Sequence, residues 1–422
     1  MIDIKFIRQN KEKVEQACQS RGVKCELDKL LELDEKRREL IQKSENLRAQ
    51  KNVGGKDQIE AMRAKKEEIK KLEEELTQIE RDFQALMYKI PNIPYPDVPV
   101  HRDEKGNEEI RKWGKEPKGD FKEYLEIAGE MIDTERAAKT SGSRFYYLKD
   151  NLALLELNLI HFVANFLSTP KVIEKIIKDK KLAISTKPFM PVIPPLMLKS
   201  EIMKGMGYLD QAPDETYHLE KDDLYLIGTA EQALVAMHAN EVLQEKDLPI
   251  RYVGLPCSAF RREAGSYGKD VKGIFRVHQF EKVEMVSFTT PEQSAAEQEL
   301  MLALEEEIVQ TLKLPYRVLK LCTGELAWPS AKTYDIECYL PGQKKYRETH
   351  SCSNCTDFQA RRLNIRYRNK EGKNNFVHTL NATGLAMPRA IIAVVENFQK
   401  PDGTRAPQSL GDVGFNWPEI LK

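Results

Sequence analysis

The N-terminal quarter of the chain carries apolar residues at spacings of three, four and seven, which predicts helices. One stripe runs among charged residues through Leu30, Leu33, Leu40 and Leu47, and a second runs through Met62, Ile69, Leu72, Leu76, Ile79, Phe83 and Leu86. The second stripe has the spacing of a coiled coil. Gly54 and Gly55 lie between the stripes and break the helix. The pattern therefore predicts an antiparallel helical arm over about residues 27–90, in which the first helix, of about 26 residues, is roughly 40 Å long. A shorter amphipathic helix is predicted over residues 7–22.

After residue 90 the periodicity changes. Four prolines between residues 91 and 99 end the helical region and indicate a linker. Residues 151–167 are typical of a buried helix, and residues 250–260, 274–288 and 316–320 are typical of strands. Hairpins with interspersed helices favour an α+β domain on an antiparallel sheet. We therefore predict an N-terminal helical domain over 1–105 and a second domain over 106–422, without a Rossmann or P-loop glycine motif.

Composition excludes several classes of protein. The 66 basic residues equal the 66 acidic residues, so no overall positive charge indicates a nucleic-acid partner. No apolar leader or membrane span is expected, and seven irregularly spaced cysteines are typical of a reduced, cytoplasmic protein. Cys352 and Cys355 are close enough to bind zinc together with Cys322 and Cys338. The latter pair is too widely spaced for a second knuckle, and we expect no zinc.

Local charge adds one candidate surface. Residues 43–71 contain nine basic and five acidic residues, whereas the rest of the predicted arm is acidic. A basic tip suits a phosphate backbone, although a charged coiled coil also uses such residues only for solubility. The candidate contacts are Lys43, Arg48, Lys51, Lys56, Arg63, Lys65 and Lys66.

Residues 258–288 carry the densest chemistry. Two strand-like runs flank a long polar loop that contains Gly265, Gly268 and Gly273. Alternation along the second run places on one face Arg276, His278, Phe280, Lys282 and Glu284. Arg261 and Glu263 share a face of the first run. Such faces suit a ligand with phosphates, a stackable base and an ammonium group, although a solvated face with scattered charges has the same pattern.

A second candidate lies where Pro388 begins a predicted helix. Arg389 then falls in the first turn, where its charge opposes the helix dipole. A cation in that position indicates an anion bound nearby.

These segments resemble the signature motifs of class II aminoacyl-tRNA synthetases, specifically the bacterial-type seryl-tRNA synthetase family. Residues 260–263 with 276–284 resemble the second motif, and residues 379–389 resemble the third. The proline-rich segment 187–198 resembles the first motif, whose proline, best matched by Pro195, lies at a dimer interface. The resemblance covers essentially the whole chain.

The resemblance implies a class II catalytic domain and an arm that holds the long variable arm of tRNA(Ser). It implies ATP-dependent activation of L-serine to seryl-adenylate, with Mg²⁺, followed by transfer of serine to the 3′ end of tRNA(Ser) and also of tRNA(Sec). It further implies a homodimer.

The family's site residues carry over by position. The catalytic residues are Arg261, Glu263 and Arg389. Serine would contact Thr229, Ala230, Glu231, Glu284 and Thr383. ATP would contact Arg261, Arg262, Glu263, Val277, Phe280, Glu348, Thr349, His350, Ser351 and Arg389. Glu348 and Ser351 would hold Mg²⁺. The chain departs from the common family pattern at Thr349–His350 and at Ala382–Thr383, where Ile-Ser and Gly-Ser are more frequent.

Three other functions remain open at this stage. They are a class II synthetase for another amino acid such as threonine or proline, an RNA-binding relative without catalysis, and a coiled-coil scaffold.

Overall fold

The computed structural model describes residues 1–51, 59–209, 213–255, 258–263 and 273–399, with the backbone only at residues 50, 51 and 59–64. The predicted Gly-Gly turn, Lys56, Gly265 and Gly268 lie outside the described residues, as do the side chains of Lys51 and Arg63. The chain divides into two compact units, residues 1–93 and 94–422.

The first unit consists of helices α1 (Ile4–Gln9), α2 (Lys11–Ser20), α3 (Leu27–Lys51) and α4 (Ile59–Tyr88). The long helices α3 and α4 form the predicted antiparallel arm. Two ion pairs show the direction, because Arg37 pairs with Glu80 at 3.1 Å while Arg48, further along α3, pairs with the earlier residue Glu73 at 2.5 Å. The predicted apolar stripe faces inward at Leu30, Leu40, Ile69, Ile79, Phe83 and Leu86, which are all buried.

The region predicted as one helix over 7–22 differs in two ways. It is divided at Asn10, which leaves helical geometry and caps α1 through its backbone N–H. Cys18 on α2 forms a disulfide with Cys25, which lies in the connection that leads to α3. The expectation of a fully reduced chain is therefore wrong at this local pair, while Cys322, Cys338, Cys352 and Cys355 are buried thiols.

The second unit is α+β, as predicted. Its helices are α5 (Tyr124–Ala128), α6 (Thr134–Ser141), α7 (Asp150–Ser168), α8 (Pro170–Asp179), α9 (Ser200–Met206), α10 (Ala230–Ala236), α11 (Ser294–Thr311), α12 (Phe358–Leu363) and α13 (Met387–Asn397). Its strands are β1 (Glu108–Trp113), β2 (Ile132–Asp133), β3 (Tyr147–Leu148), β4 (Met190–Val192), β5 (Met197–Lys199), β6 (His218–Leu219), β7 (Leu224–Leu226), β8 (Val242–Gln244), β9 (Ile250–Gly254), β10 (Ser258–Phe260), β11 (Gln279–Thr289), β12 (Tyr316–Lys320), β13 (Lys332–Leu340), β14 (Lys345–Asn354), β15 (Arg366–Arg368), β16 (Asn374–Phe376) and β17 (His378–Ala386).

Nine strands form the main sheet, in the order β1-β12-β13-β14-β17-β11-β9-β4, and β10 pairs with β11. The pairs are antiparallel except that β4, a proline-containing edge strand, pairs in parallel with β9. Successive side chains of β11 point to opposite faces of the sheet, and each face packs against its own apolar core. Val283 and Met285 pack in the larger core, whereas Val286 and Phe288 pack in a second core with α10. The sheet thereby separates two apolar layers.

Helix α7 occupies nearly the predicted range. Among the described helices it alone is long and apolar enough to cross a membrane by length and composition. One side of it, including Leu152, Leu159 and Phe166, packs into the larger core. That side of α7 is therefore part of the core.

Two boundaries differ from the sequence analysis. Residues 94–105, assigned there to the N-terminal domain, lie in the second unit because their backbone bonds to it, as Tyr95 N–H does to the carbonyl of Ala331. The strand predicted from residue 274 begins at Gln279. The preceding segment is held instead by the Tyr124 hydroxyl, which accepts a hydrogen bond from the Ile274 N–H at 2.9 Å.

Candidate active site

A cavity of about 770 Å³ lies in the second unit and is lined by residues between Tyr208 and Arg389. Twelve of the residues that the sequence analysis selected line it: Thr229, Glu231, Arg261, Glu263, Val277, Phe280, Glu284, Glu348, Thr349, Ser351, Thr383 and Arg389. They come from α10, β11, β14, β17 and α13 and from the segments that precede α10, follow β10 and precede β11, so the fold gathers side chains that are up to 160 residues apart in sequence.

Three selected residues do not line the cavity. Ala230 is fully buried at the start of α10, and His350 is buried on β14 with its Nδ1 2.9 Å from the Thr349 hydroxyl. The Arg262 guanidinium lies 5.0 Å from the centre of the Tyr217 ring. The predicted shared face is also incomplete, because His278 precedes β11 and does not line the cavity.

Arg389 lies at one wall of the cavity in the first turn of α13, as predicted. Its Nη1 is 3.0 Å from Glu348 Oε1 and donates a hydrogen bond to the Glu348 carbonyl at 3.1 Å. Partial desolvation in the cavity raises the pKa of the Glu348 carboxyl, but the positive charges of Arg389, Arg261 and Lys282 outweigh this effect, and the net shift of the pKa is downward. Glu348 therefore stays ionised beside a cluster of cations.

Arg261 lies at a second position in the cavity. Its Nε donates a hydrogen bond to the Gly228 carbonyl at 2.9 Å, and its guanidinium lies 5.3 Å from the centre of the Phe280 ring. Nearby, Arg276 Nη1 is 3.1 Å from Glu263 Oε2. Two guanidinium groups and an aromatic ring thus face one space, which suits a phosphate group next to a flat base.

The floor of the cavity contains a buried acid beside a buried cation. Glu284 is 2% exposed, and Lys282 Nζ lies 2.6 Å from its Oε2. Burial raises the pKa of Glu284, and Lys282 and Arg261 oppose that shift. The register between β11 and β17 shifts at this point, so that Glu284 pairs with Thr383 while Val283 pairs with Leu385. The shift makes Thr383 and Glu284 partners across the two strands, and both line the cavity.

Gly384 occupies the extra position in this irregularity. A Cβ atom at Gly384 would lie 3.0 Å from a methyl group of Val283 and 3.2 Å from one of Val163. A side chain there would push the two strands apart, and glycine therefore permits the register that aligns Glu284 with Thr383.

Glu231 is the centre of a buried polar network. Its Oε2 accepts a hydrogen bond from the Tyr208 hydroxyl at 2.7 Å, and its Oε1 accepts from Gln359 Nε2 at 2.7 Å and from Asn381 Nδ2 at 3.0 Å. Burial raises the pKa of Glu231, while the hydrogen bonds from Tyr208 and Gln359 lower it in part. Three donors therefore hold this carboxylate in a fixed orientation.

Sequence reasoning missed several lining residues, among them Tyr208, Phe275 and Asn381. None belongs to a recognisable spacing pattern, because each reaches the cavity through tertiary contacts. Asn381 was within the third motif, but its hydrogen bond to a residue 150 positions away gave no local signal.

The residues present suit a hard divalent cation. The half-exposed Glu348 carboxylate and the Ser351 hydroxyl are both oxygen donors that line the cavity. In the described parts of the chain, no group of three or more His, Cys, Asp or Glu side chains could hold a metal ion without other ligands. That donor set matches Mg²⁺, which in nucleotide sites takes one or two carboxylates together with phosphates.

Comparison with known proteins gives a consistent assignment. Residues 1–94 match the family model of the seryl-tRNA synthetase N-terminal domain, and residues 216–398 match that of the class II tRNA synthetase core domain (G, H, P, S and T). The chain is 41% identical to a serine–tRNA ligase of Nitrosopumilus maritimus over 100% of both chains. It is 42% identical to that of Pyrococcus horikoshii, over 97% of this chain and 95% of the relative.

Solved structures agree. The seryl-tRNA synthetase of Pyrococcus horikoshii in complex with ATP superposes with a TM-score of 0.84 at 39% identity, covering 99% of both chains. The cytoplasmic serine–tRNA ligase of Naegleria fowleri in complex with AMP gives a TM-score of 0.81 at 31% identity, covering 99% of this chain and 98% of the other. The chain therefore belongs to the seryl-tRNA synthetase family of class II aminoacyl-tRNA synthetases.

Proposed function

We propose that this protein is an ATP-dependent serine–tRNA ligase that forms seryl-adenylate and transfers serine to the 3′ end of tRNA(Ser), and also of tRNA(Sec). The main support is the meeting of Arg261, Phe280 and Arg389 with Glu284 and Thr383 in one cavity. The first three suit a nucleoside triphosphate, and the other two suit a small amino acid with a hydroxyl group.

In the first step the carboxylate of serine attacks the α-phosphate of ATP and pyrophosphate leaves. The attacking carboxylate is already ionised at neutral pH, so this step requires no general base from the protein. The protein contributes position and charge. Arg261 holds the α-phosphate, Arg389 holds the distal phosphate, and the adenine lies between the Phe280 ring and Arg389. Glu263 orients the nucleotide, and Val277 packs near the base.

Mg²⁺ supplies charge neutralisation to the phosphates when bound, and Glu348 and Ser351 are the residues that would hold it. The low pKa of Glu348 keeps that ligand ionised.

Serine is selected by polar contacts. Glu284 accepts hydrogen bonds from the serine ammonium and hydroxyl, and Thr383 contacts the hydroxyl. Glycine or alanine in this position would leave buried polar groups without a partner, which disfavours them by several powers of ten. Threonine is excluded by shape. Thr229 and Glu231 border the same pocket, and the network around Glu231 keeps its wall rigid.

In the second step the terminal ribose hydroxyl of tRNA attacks the acyl carbon of the adenylate, the acyl–phosphate bond breaks, and AMP leaves. The proposed RNA grip is the basic end of the arm. Lys43, Arg48 and Lys66 are exposed there, and Lys65 is partly exposed. Their charge suits the phosphate backbone of a tRNA variable arm.

We also propose a cytoplasmic homodimer that forms through the region around Pro195. Apolar side chains nearby are exposed, including Met190 at 61% and Ile193 at 78%, and so are Leu154 and Leu157 on α7. Large exposed apolar groups of this kind commonly lie at subunit interfaces. A single substitution, Ile193→Asp, should convert the dimer to a monomer in sedimentation analysis, whereas Lys171→Asp should not.

Serine-dependent exchange of pyrophosphate into ATP tests the assignment. Serine should support exchange, whereas threonine, proline, alanine and glycine should support it at least about a thousandfold less well. Charging of total tRNA with labelled serine tests the second step. Exchange with another amino acid would identify a different synthetase, and ATP binding without exchange would identify a non-catalytic relative.

A further inference from the structure

Phe275 lines the cavity but has no role in the reaction described above. Two guanidinium groups lie over its ring, that of Arg347 at 3.8 Å and that of Arg389 at 4.7 Å from the ring centre. The face of an aromatic ring is electronegative and attracts cations, so the ring favours both groups at these positions.

The ring is anchored to the same helix that carries Arg389. Ile274 donates its backbone N–H to the Tyr124 hydroxyl at 2.9 Å, and Tyr124 donates its own backbone N–H to Glu396 Oε1 at 3.2 Å. Glu396 lies in the last turn of α13, and Arg389 lies in the first. Phe275 and Arg389 are therefore both held by α13. Arg389 belongs to that helix, and the segment that contains Phe275 is bound to it through Tyr124 and Glu396.

Gly273 makes this anchoring possible. Its φ of +82° lies in the left-handed region, and a Cβ atom there would lie 1.8 Å from the Tyr124 hydroxyl oxygen. The close approach of Tyr124 turns the chain so that Phe275, two residues later, faces the cavity.

Arg389 has an ionic partner, Glu348, which lies 3.0 Å away. In the proposed function, the Arg389 guanidinium binds the phosphates of ATP, and the Glu348 carboxylate would bind Mg²⁺. The contact between Arg389 and Glu348 then weakens at the moment when Arg389 must stay in place. A long, flexible side chain loses conformational entropy when a ligand fixes it. An aromatic ring that already holds the Arg389 guanidinium in place reduces the entropy that is lost when ATP binds.

We propose that Phe275 is a positioning residue that holds Arg389 at the cavity wall for ATP, with Arg347 completing the stack. This inference rests on the proposed function, since it assigns Arg389 to the nucleotide. It predicts that the effect of Phe275 on ATP binding is transmitted through the charge of Arg389.

A double-mutant cycle on the full-length protein tests this coupling. ATP affinity is measured by calorimetry, and the Michaelis constants for ATP and serine are measured by pyrophosphate exchange. Phe275→Leu should weaken ATP binding by about three- to tenfold with the serine constant unchanged, and Phe275→Tyr, which keeps the ring, should stay within about twofold of the wild type. In the Arg389→Met background, Phe275→Leu should have almost no further effect.

Equal weakening in both backgrounds would mean that Phe275 acts independently of Arg389 and would overturn the proposal, as would unchanged ATP affinity in Phe275→Leu. Phe275→Met is made in parallel, so that a folding defect in one variant leaves the other to decide. If the wild type binds ATP but exchanges no pyrophosphate with any amino acid, the proposed function fails while the coupling is still measurable. A wild type that does not bind ATP overturns both.

Discussion

Most charged side chains in the arm helices α3 and α4 face water, apart from the buried Asp34, whereas several in the second unit are buried. Arg48 and Glu73 form an ion pair on the arm with side chains that are 61% and 45% exposed. Arg251 and Glu297 pair at 2.6 Å with both side chains at 0% exposure. Around the cavity, Glu231 and Glu284 are also almost fully buried. Exposed charges are available to a large, charged partner, and buried charges are arranged in advance for a small one.

The difference has an energetic basis. The free energy of an exposed ion changes little when a surface contact forms or breaks, because water solvates the ion in both states. The arm can therefore carry many charges with small effects on its folding. A buried ion has lost its hydration and requires fixed partners, which the fold must supply. The arm is therefore expected to tolerate substitution, whereas the second unit is expected to respond strongly to changes at single buried charges.

Removal of residues 31–88 should separate the two regions most completely. Every residue that lines the cavity lies between positions 208 and 389, outside the deleted segment. Serine-dependent pyrophosphate exchange should remain, while charging of tRNA(Ser) should fall by more than about a thousandfold, because the phosphate contacts are lost. Both activities are measured on the same preparation. Undiminished charging would show that the arm is not the RNA grip.

A milder variant separates charge from shape. Replacement of Lys43, Arg48, Lys65 and Lys66 by glutamine keeps the helices but removes four charges. The Michaelis constant for tRNA should rise and should depend less steeply on salt concentration. A salt dependence equal to that of the wild type would place the phosphate contacts elsewhere.

Glu284→Ala should have the largest effect of any single substitution. Serine activation should fall by about a thousandfold or more, because the proposed partner of the serine hydroxyl and ammonium is lost. The protein should still fold, although with lower stability, because Lys282 loses the carboxylate that lies 2.6 Å from its Nζ. Pyrophosphate exchange measures the first effect, and thermal unfolding measures the second. Exchange at the wild-type rate would remove Glu284 from the serine site.

Glu284→Gln is the matched control for that substitution. It keeps the size and one oxygen acceptor but removes the charge beside Lys282. An intermediate loss would indicate that both charge and hydrogen bonding contribute to serine binding. If glutamine is as inactive as alanine, the negative charge is the essential feature.

Much of the fold follows from local sequence. The heptad stripe predicted the arm, the apolar run predicted α7, and β12 occupies the range that its β-forming residues indicated. The signature motifs identified twelve residues that now line one cavity. These features depend on residues close together in the chain, and local periodicity records them.

Other features depend on distant partners and leave no local pattern. The segment before β11 resembles a strand in composition, but the Tyr124 hydroxyl takes up the Ile274 N–H, and the strand begins only at Gln279. Glu231 is oriented by Tyr208, Gln359 and Asn381, which lie 23, 128 and 150 residues away.

The two ion pairs named above provide a direct test of the energetic contrast. Glu297→Ala would leave Arg251 buried without its carboxylate partner and should destabilise the second unit by about 3–5 kcal/mol. Glu73→Ala, its matched control on the arm, should cost at most about 1 kcal/mol. All three tryptophans lie in the second unit, so tryptophan fluorescence in urea reports on Glu297→Ala, while circular dichroism follows Glu73→Ala. Equal losses would refute the contrast.

A further expected effect, smaller than that of Glu297→Ala, concerns pH. All seven histidines lie beyond residue 93. Burial lowers the pKa of His350 to about 3, against about 6.5 in an unfolded chain. Above pH 6.5 both states are neutral and His350 has no effect. Between pH 6.5 and 3 only the unfolded state takes up the proton. The free energy of unfolding therefore decreases as the pH is lowered through that window. At pH 5 the loss attributable to His350 should be about 2 kcal/mol.

Urea unfolding of the wild type and of His350→Gln at pH 7.5 and pH 5.0 isolates this contribution. Carboxylates that titrate in the same range are common to both proteins, so the difference between their pH dependences belongs to position 350. The stability of His350→Gln should fall by about 2 kcal/mol less between the two pH values than that of the wild type. Identical pH dependences would mean that the imidazole takes up its proton in the folded state. An imidazole that is protonated in the folded state cannot be as closely enclosed as Glu231 and Glu284. The contrast between buried charges in the second unit and exposed charges on the arm would then not extend to His350.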